Sequence, residues 1–473
     1  MELSFLGLAV LSACFLTSVF VARNKSEVVS FGLMSFISVA SFSTVVSLLI
    51  GPAALKITAI ALSLVIFIAG LLYSLFSKTW PSAKQIFFGF SLSAGSFALD
   101  ALTRAFGLAS SAFTDGQTIV ALSQGFQQGE FDPLTGSHAM KRGFGLPAMH
   151  ALGPNLEYFA GLMPVFFCAA LWMTWQLSIS VAKNRFQAAS VFLVIGLLSL
   201  STEAVARHAY LVNTHAIAWL IFAIGLNYLV LASKRRLESS EIFGLIVMSA
   251  AIGFLRIDYI ILFAPLTLGI ALVLANYRKI LSWLFIVAQG LSAAIWTSVG
   301  VRDFPIFGDL GPIFLLLASA LVGGIVLWIH NQFKFRFETL GKIFFTWLAA
   351  GILVFVFISA DFSEALRDLF TNLFLGEGLW GATIMFLLIV VAYTYIFTQQ
   401  QTSQTLRVIL NVFLLSLSAY LASKYLDGSS TGKGLPNLIR VGFGDSFNRT
   451  LVSWIPFLVF PLARFFEKLP LKR

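Results

Sequence analysis

The sequence has few charged residues and few cysteines. Only 11% of its 473 residues are Asp, Glu, Lys or Arg, whereas 58% are hydrophobic and 15% are aromatic. A soluble globular chain carries about a quarter charged residues and about half apolar ones, so this composition excludes an ordinary soluble domain. The two cysteines, Cys14 and Cys168, both lie in apolar runs, which gives no support to a disulfide framework.

Several familiar signatures are absent as well. The sequence shows no phosphate-binding or dinucleotide-binding glycine motif, no repeat at a fixed period and no barrel-type alternation. The first residues include Glu2 and no basic region, so the first apolar run is predicted to be a retained span. Basic residues that flank membrane spans account for the formal charge of +10, and no nucleic-acid partner is expected.

Long apolar runs dominate what remains, with 49 phenylalanines and a mean hydropathy of +0.90. About 20 apolar residues cross a bilayer as a helix, because hydrocarbon does not tolerate unpaired backbone polar groups. The sequence therefore predicts an all-α integral membrane protein, a polytopic helical bundle of about 15 spans with the lipid bilayer as its partner. The predicted spans cover residues 4–22, 29–50, 57–76, 86–104, 157–181, 187–202, 212–233, 241–256, 258–275, 280–299, 312–330, 343–360, 381–398, 406–424 and 451–467.

The charges are distributed unequally between the two sides of this stack. Short alternate loops hold 19 of the 31 basic residues, and the other side holds 16 of the 21 acidic ones. Because basic loops stay in the cytoplasm, we predict an N-terminus outside and a C-terminus inside. The chain then divides into N-terminal spans (1–104), an outer loop (105–156), a transmembrane core (157–424), a second outer loop (425–450), and a last span with a cytoplasmic tail (451–473).

The first long outer loop begins with a polar stretch around Asp115. Ile119, Leu122 and Phe126 recur at helical spacing, which predicts a short amphipathic helix that lies along the membrane. Asp115 at its start would cap the helix, act in chemistry, or both, and we expect both.

The rest of this loop carries charges of both signs. Glu130 and Asp132 lie in a turn-rich segment, where they are expected to be solvated or to contact substrate. Lys141 and Arg142 would meet lipid headgroups or an anionic part of a substrate. The nearby histidines show no tight ligand spacing such as HExxH, so no cofactor is predicted and a divalent metal stays an open alternative.

Polar residues also mark the outer turn between residues 202 and 212. Arg207, His208 and His215 lie where one span ends and the next begins. Arg207, Tyr210 and Thr214 are at helical spacing, so they can share one helical face. These residues either reach the interface as isolated polar groups or line a site.

Two further outer segments concentrate charge. Arg256 and Asp258 separate two apolar runs with almost no loop between them. A charge at bilayer depth costs about 2.5–3.5 kcal/mol, so these two either satisfy each other or line a phosphate-binding cavity. The last outer loop offers Arg440, Asp445 and Arg449 in a glycine-rich context, which either closes over a substrate or merely connects spans.

With these positions in view, the chain resembles polytopic glycosyltransferases of the GT-C superfamily. The resemblance covers about residues 105–275 and 430–460, although the acidic loop follows four predicted spans here and the first span in that family. Its motifs are ALSQGFQQGEFD, RGFGLPAMHALGP, EAVARHAYLVNTHAIAWL, GFLRIDYIILFAPL and GFGDSFNRTLVSWIPFLV.

The resemblance implies sugar transfer from a polyprenyl-phosphate donor to a glycan, lipid or protein acceptor. The expected place is the extracytoplasmic face of a bacterial cytoplasmic membrane. It implies that Asp115 takes the proton of the acceptor hydroxyl. Arg207, Arg256, Arg440 and Arg449 would stabilise the leaving phosphate through bidentate hydrogen bonds.

Three other classes of protein remain open at this point. A ligase or polymerase of lipid-linked glycans would use the same kinds of outer residues. A transporter or flippase would show inverted repeats and charges near the middle of the membrane, whereas here charges concentrate in outer loops and at span ends. A purely structural membrane anchor is the remaining alternative.

Overall fold

A computed structural model describes most of the chain. The described residues are 6–105, 114–129, 145–152, 162–210, 214–256, 258–299, 311–333, 350–351, 362–381, 383–386, 389, 409, 412–421 and 449–468. Every regular element within them is a helix. The prediction of an all-α chain is confirmed for this part of the protein.

The helices follow the apolar runs because a helix pairs its own backbone groups inside hydrocarbon. Asn24 and Asn184 cap the helices that follow them by accepting hydrogen bonds from the backbone N–H groups of Glu27 and Gln187, at 3.0 and 2.8 Å. The helices are α1 (Leu6–Val21), α2 (Lys25–Ile50), α3 (Ala54–Ser77), α4 (Ala83–Ala105), α5 (Thr114–Gln128), α6 (Gly145–Ala151), α7 (Met163–Val181), α8 (Arg185–Ser201), α9 (Glu203–Ala206), α10 (His215–Lys234), α11 (Ser239–Leu255), α12 (Asp258–Ala275), α13 (Lys279–Val299), α14 (Gly311–Phe333), α15 (Phe362–Phe374), α16 (Val412–Leu421) and α17 (Val459–Lys468).

The predicted spans between residues 4 and 330 all coincide with helices. Six of the helices in the described residues are long and apolar enough to cross a membrane: α2, α3, α4, α7, α10 and α14. The number rises to seven if α8 and the short segment after it count as one bent span. The predicted span 343–360 and most of 381–398 lie outside the described residues. The structure therefore supports a helical membrane protein.

The predicted last span differs from a regular α-helix. Leu451–Leu458 forms a 3₁₀ helix, and α17 begins only at Val459. Pro456 lies inside the 3₁₀ segment and has no backbone N–H to donate, which disfavours a continuous α-helix there. The prediction of one unbroken α-helix over 451–467 is wrong.

Helix α10 lies at the centre of the bundle. Its side chains from His215 to Val230 are buried, and α7, α12 and the 3₁₀ helix pack around it. The Trp219 indole N–H donates to the Thr174 hydroxyl at 2.9 Å, and the Phe222 ring lies 4.4 Å from that of Phe263. A helix that is apolar on all sides is expected in such a position.

Several loops that were predicted to share one side meet at one end of the bundle. Arg23 pairs with Glu238, which joins the α1–α2 loop to the α10–α11 loop. The Tyr277 hydroxyl accepts a hydrogen bond from the Leu237 backbone N–H at 3.0 Å, which adds the α12–α13 loop. We call this end the basic end; its segments are residues 22–24, 182–184, 235–238, 276–278 and 464–468.

The last helix closes the basic end. Glu467 pairs with Lys183 and, at 2.8 Å, with Arg464. Burial raises the pKa of Glu467, the contacts with these two cations lower it, and the net shift is downward. Four of the five acidic residues predicted on this side thus have polar contacts at the basic end: Glu27, Glu238, Glu241 and Glu467.

Candidate functional site

The candidate site lies at the opposite end of the bundle, which we call the far end; its segments are residues 51–53, 129, 152, 202–210, 214 and 256. Helix α8 stops at Ser201, and the chain bends by 85° into α9 and a 3₁₀ turn, Arg207–Ala209. The predicted span 187–202 ends at this bend, so the turn follows the last residue of that span. The structure thereby separates this turn from the basic end by the length of α8.

Two histidines lie together at the far end. The rings of His208 and His215 are buried, with their centroids 5.6 Å apart in an edge-to-face arrangement. The His208 Nδ1 atom lies 2.9 Å from the Ala204 carbonyl oxygen, and that oxygen can only accept. The proton of a neutral His208 ring is therefore on Nδ1, and Nε2 is an acceptor.

Arg449 completes this group, and we call His208, His215 and Arg449 the histidine–arginine cluster. Its side chain is buried where the last described segment begins. Burial, and after it the positive Arg449 guanidinium, lower the pKa of His208 to about 3. The imidazole of His208 is thus neutral at physiological pH, and Arg449 supplies a positive charge near it.

Aromatic residues hold the segment that carries Arg449. The Tyr420 and Thr450 hydroxyls are 2.9 Å apart, and the Tyr420 ring lies 5.9 Å from that of Trp454. The Phe457 ring lies 5.3 Å from Phe222 of the central helix. Arg449 is therefore positioned by packed aromatic side chains.

The segment around Arg256 and Asp258 reaches the same end. The Tyr259 hydroxyl donates to the Thr214 carbonyl at 2.6 Å, and Thr214 directly precedes His215. Arg256 is partly buried just after α11, and Asp258 is the first residue of α12, with its side chain outside the described residues. Sequence reasoning missed Tyr259, although its place next to the charged residues Arg256 and Asp258 was a signal.

Arg207 behaves differently from its predicted arrangement. Its guanidinium forms an ion pair with Glu203, one helical turn earlier, and it remains partly exposed. The helix ends before Tyr210, because the chain passes through a 3₁₀ turn at Arg207–Ala209. The prediction that Arg207, Tyr210 and Thr214 share one helical face is therefore wrong.

Helix α5 carries Asp115 near its start, and its other end reaches the far end, where Gly129 lies next to Ala53. Ile119, Leu122 and Phe126 are buried, which confirms the apolar stripe. This side of the helix packs on α6, where the Ser123 hydroxyl donates to the Pro147 carbonyl at 2.9 Å. The stripe thus faces protein, whereas it was expected to rest on the membrane.

The start of α5 lies close to the predicted cap. The helix begins at Thr114, so the cap position precedes Thr114 and Asp115 lies within the first turn. The capping role of Asp115 therefore stays a prediction, because a helix start is defined only to within one or two residues. A carboxylate in the first turn still interacts favourably with the helix dipole. The side chain of Asp115 lies outside the described residues.

The candidate site thus combines residues from four separate segments of the chain. It brings His208, His215 and Arg449 together, with Arg207 and Arg256 in adjoining turns. Six predicted site residues lie outside the described residues: Glu130, Asp132, Lys141, Arg142, Arg440 and Asp445. Among the described residues, no three His, Cys, Asp or Glu side chains form a group that could hold a metal ion.

Comparisons of the chain with known protein families, with curated proteins and with solved structures found no match. The residues of this chain are therefore the basis on which a function can be inferred. What the cluster offers chemically is the buried positive charge of Arg449 near the neutral imidazole of His208. Such a charge, in surroundings of low dielectric constant, favours an anionic ligand group.

Proposed function

We propose that the protein is a membrane glycosyltransferase that moves a sugar from a polyprenyl-phosphate donor to a glycan, lipid or protein acceptor. In this proposal the chain crosses a bacterial cytoplasmic membrane about 15 times. The basic end faces the cytoplasm and the far end faces outward, with the N-terminus outside and the C-terminus inside. The grouping of basic loops at one end supports this orientation.

The observation that carries the proposal is the histidine–arginine cluster at the end opposite the basic loops. A lipid phosphate gains negative charge as the sugar leaves, and a fixed cation at that point lowers the barrier. Arg449 is suited to this role because its planar guanidinium binds phosphate oxygens in a bidentate manner. Arg207 and Arg256 lie in turns at the same end.

The reaction uses the remaining residues as follows. The acceptor hydroxyl oxygen forms a bond to the anomeric carbon, the bond between that carbon and the phosphate oxygen breaks, and the hydroxyl proton passes to the Asp115 carboxylate. The lipid phosphate leaves as an anion beside Arg449. Substrate contacts are assigned to Glu130, Asp132, Lys141, Arg142, Arg207, His208, His215, Arg256, Asp258, Arg440, Asp445 and Arg449.

A transfer assay in proteoliposomes tests the proposal. The purified protein is mixed with each of a panel of polyprenyl-phosphate sugars, and the released lipid phosphate and the glycosylated product are both measured. Arg449→Gln should reduce turnover at least 100-fold, which corresponds to about 2.7 kcal/mol of transition-state stabilisation. Arg464→Gln is the matched control, since Arg464 lies near the opposite end of the same segment.

Different outcomes separate the alternatives. Turnover that needs a lipid-linked oligosaccharide donor would indicate a ligase or polymerase. Lipid or solute movement across the vesicle without any sugar transfer would indicate a transporter. Equal activity of the Arg449→Gln and Arg464→Gln proteins, at equal folded yield, would remove the cluster from the mechanism.

A further inference from the structure

Helix α15 (Phe362–Phe374) has an unusual distribution of exposed residues. Leu366 and Phe370 are 51% and 53% exposed, whereas Asp368 and Asn372 are buried. In a soluble protein the apolar side chains would be covered and the polar ones exposed. On α15 two large apolar side chains are thus exposed, whereas an aspartate and an asparagine are buried, which is the reverse of the usual distribution.

The residues of α15 fall on three edges of the helix. The buried edge holds Ala365, Asp368 and Asn372. The exposed apolar edge holds Leu366 and Phe370. The exposed polar edge holds Glu364 and Arg367, whose side chains are 55% and 71% exposed. At about 100° per residue, these edges are separated by roughly 100–150° from one another, so the helix has three distinct sides.

Such a helix fits a boundary between three media. One edge contacts protein, one faces a medium that accepts apolar side chains, and one faces water. The interface of a bilayer supplies the last two media on opposite sides of a helix that lies flat. With 13 residues, α15 is about 20 Å long, too short to cross the hydrocarbon core.

The segment after α15 places it at the far end. The Leu379 carbonyl accepts a hydrogen bond from the Ala204 backbone N–H at 3.1 Å, and the Thr383 and Thr202 hydroxyls are 2.6 Å apart. Helix α8 separates these contacts from the basic end by 17 residues, or about 25 Å, close to the thickness of the hydrocarbon core. If the basic end lies at one surface of the bilayer, these contacts therefore lie near the other surface.

Exposed apolar side chains on the spans continue this surface. They include Leu197 and Leu200 on the last turns of α8, which lead to the bend that carries the Leu379 contact. In a membrane protein these side chains face lipid. The segment that follows α15 is thus attached to the end of a helix that carries exposed apolar side chains.

We propose that α15 is an interfacial helix that rests on the bilayer. Leu366 and Phe370 lie among the acyl chains, Glu364 and Arg367 lie in water, and the buried edge contacts the protein. The helix thereby holds the segment Leu375–Gly381 against the turn that carries Arg207 and His208. This inference holds whichever substrate the far end binds.

Site-directed spin labelling tests the proposal directly. Single cysteines are introduced by Leu366→Cys, Phe370→Cys, Glu364→Cys and Arg367→Cys in a chain with Cys14→Ala and Cys168→Ser. The labelled proteins are reconstituted in vesicles of phosphatidylethanolamine and phosphatidylglycerol. Access to oxygen and to a water-soluble nickel chelate is then measured by the relaxation of each nitroxide.

The four positions form a matched set, since each side chain is more than half exposed. The ratio of oxygen access to nickel access should be several-fold higher for labels at Leu366 and Phe370 than for labels at Glu364 and Arg367. High nickel access at all four positions would overturn the proposal in favour of water. Low access to both reagents at the apolar edge alone would overturn it in favour of a protein partner.

A second measurement tests the proposal if the cysteine variants do not fold. Phe370→Trp keeps an aromatic side chain, and its added fluorescence is compared with that of the unchanged protein in vesicles that contain brominated lipid. Quenching of the added signal by shallow brominated positions is expected. Unquenched added fluorescence would also contradict an interfacial position.

Discussion

Two ion pairs at the basic end, one buried and one exposed, should differ in how much they stabilise the fold. Substitution of Glu241 tests the buried pair. The Glu241 side chain is 2% exposed and accepts hydrogen bonds from Arg235 Nη1 and Nη2 at 2.8 and 2.6 Å and from the Glu238 N–H at 2.8 Å. The hydrogen bonds with Glu241 also raise the pKa of Arg235. By contrast, Arg23 and Glu238 form a pair whose side chains are 68% and 30% exposed.

The structure gives the expected magnitudes. Breaking a fully buried ion pair costs about 3–5 kcal/mol, because one charge is left uncompensated. The Arg235 side chain is 41% exposed, so water recovers part of this cost. We expect Glu241→Gln to lower the free energy of unfolding by about 2–3 kcal/mol. Glu238→Gln should lower the free energy of unfolding by less than about 1 kcal/mol, because exposed ion pairs contribute no more than that.

Thermal unfolding in detergent measures the difference. Cys14 is buried and Cys168 is exposed, so in a Cys168→Ser background a thiol-reactive dye reports the unfolding of α1. A loss of 1 kcal/mol lowers the Tm of a domain of 150–250 residues by about 2–4 °C, and it lowers the Tm of longer chains by less. Glu241→Gln should therefore lower Tm by roughly 3–6 °C. Glu238→Gln should shift Tm by less than about 2 °C.

Two results would refute this reasoning. The first is an equal change in Tm for the two glutamine variants. The second is a coupling free energy below about 0.5 kcal/mol between Arg235→Gln and Glu241→Gln in a double-mutant cycle, since residues in contact normally exceed that value. Either result would show that burial of Glu241 does not strengthen the pair.

Four further outcomes are expected. A Cβ at Gly290 would overlap the Ser319 side chain, so Gly290→Ala should lower Tm by separating α13 from α14, and Ser319→Gly should restore it. Because the pKa of His208 is lowered in the folded protein, the unfolded protein binds a proton at a higher pH than the folded one. The free energy of unfolding should therefore fall as the pH drops from about 6.5 towards 3, and His208→Asn should make this fall smaller. Asp115→Asn should abolish sugar transfer at normal expression, and retained activity would exclude Asp115 as the base. A cysteine at Gly136 should react with a membrane-impermeant reagent in intact cells, whereas reaction only after lysis would reverse the proposed orientation.

The helical spans follow closely from the sequence. Runs such as 29–50 and 258–275 match helices α2 and α12 within a few residues, because hydrocarbon requires each spanning segment to pair its own backbone. The stripe of Ile119, Leu122 and Phe126 was also readable from its spacing. These properties are local, so neighbouring residues are sufficient to determine them.

The sequence misled where neighbours from other segments decide the structure. Helical spacing placed Arg207 and Tyr210 on one face, but the chain turns there so that His208 can pack against His215. The apolar run 451–467 predicted one span, but its first part, Leu451–Leu458, is a 3₁₀ helix. Pro456 and the packing of this segment against α10 determine that geometry. Local periodicity does not contain this information.

The sequence by itself determined that this is a helical chain with several segments apolar enough to cross a membrane, and it predicts that basic and acidic loops lie on different sides. Only the tertiary structure decided that Arg449 lies beside His208, and that Leu366 and Phe370 on α15 face away from the protein. The physical reason is that apolar character drives each segment into the membrane independently. Contacts between distant segments depend on how the helices pack, and packing depends on shape and burial across the whole bundle.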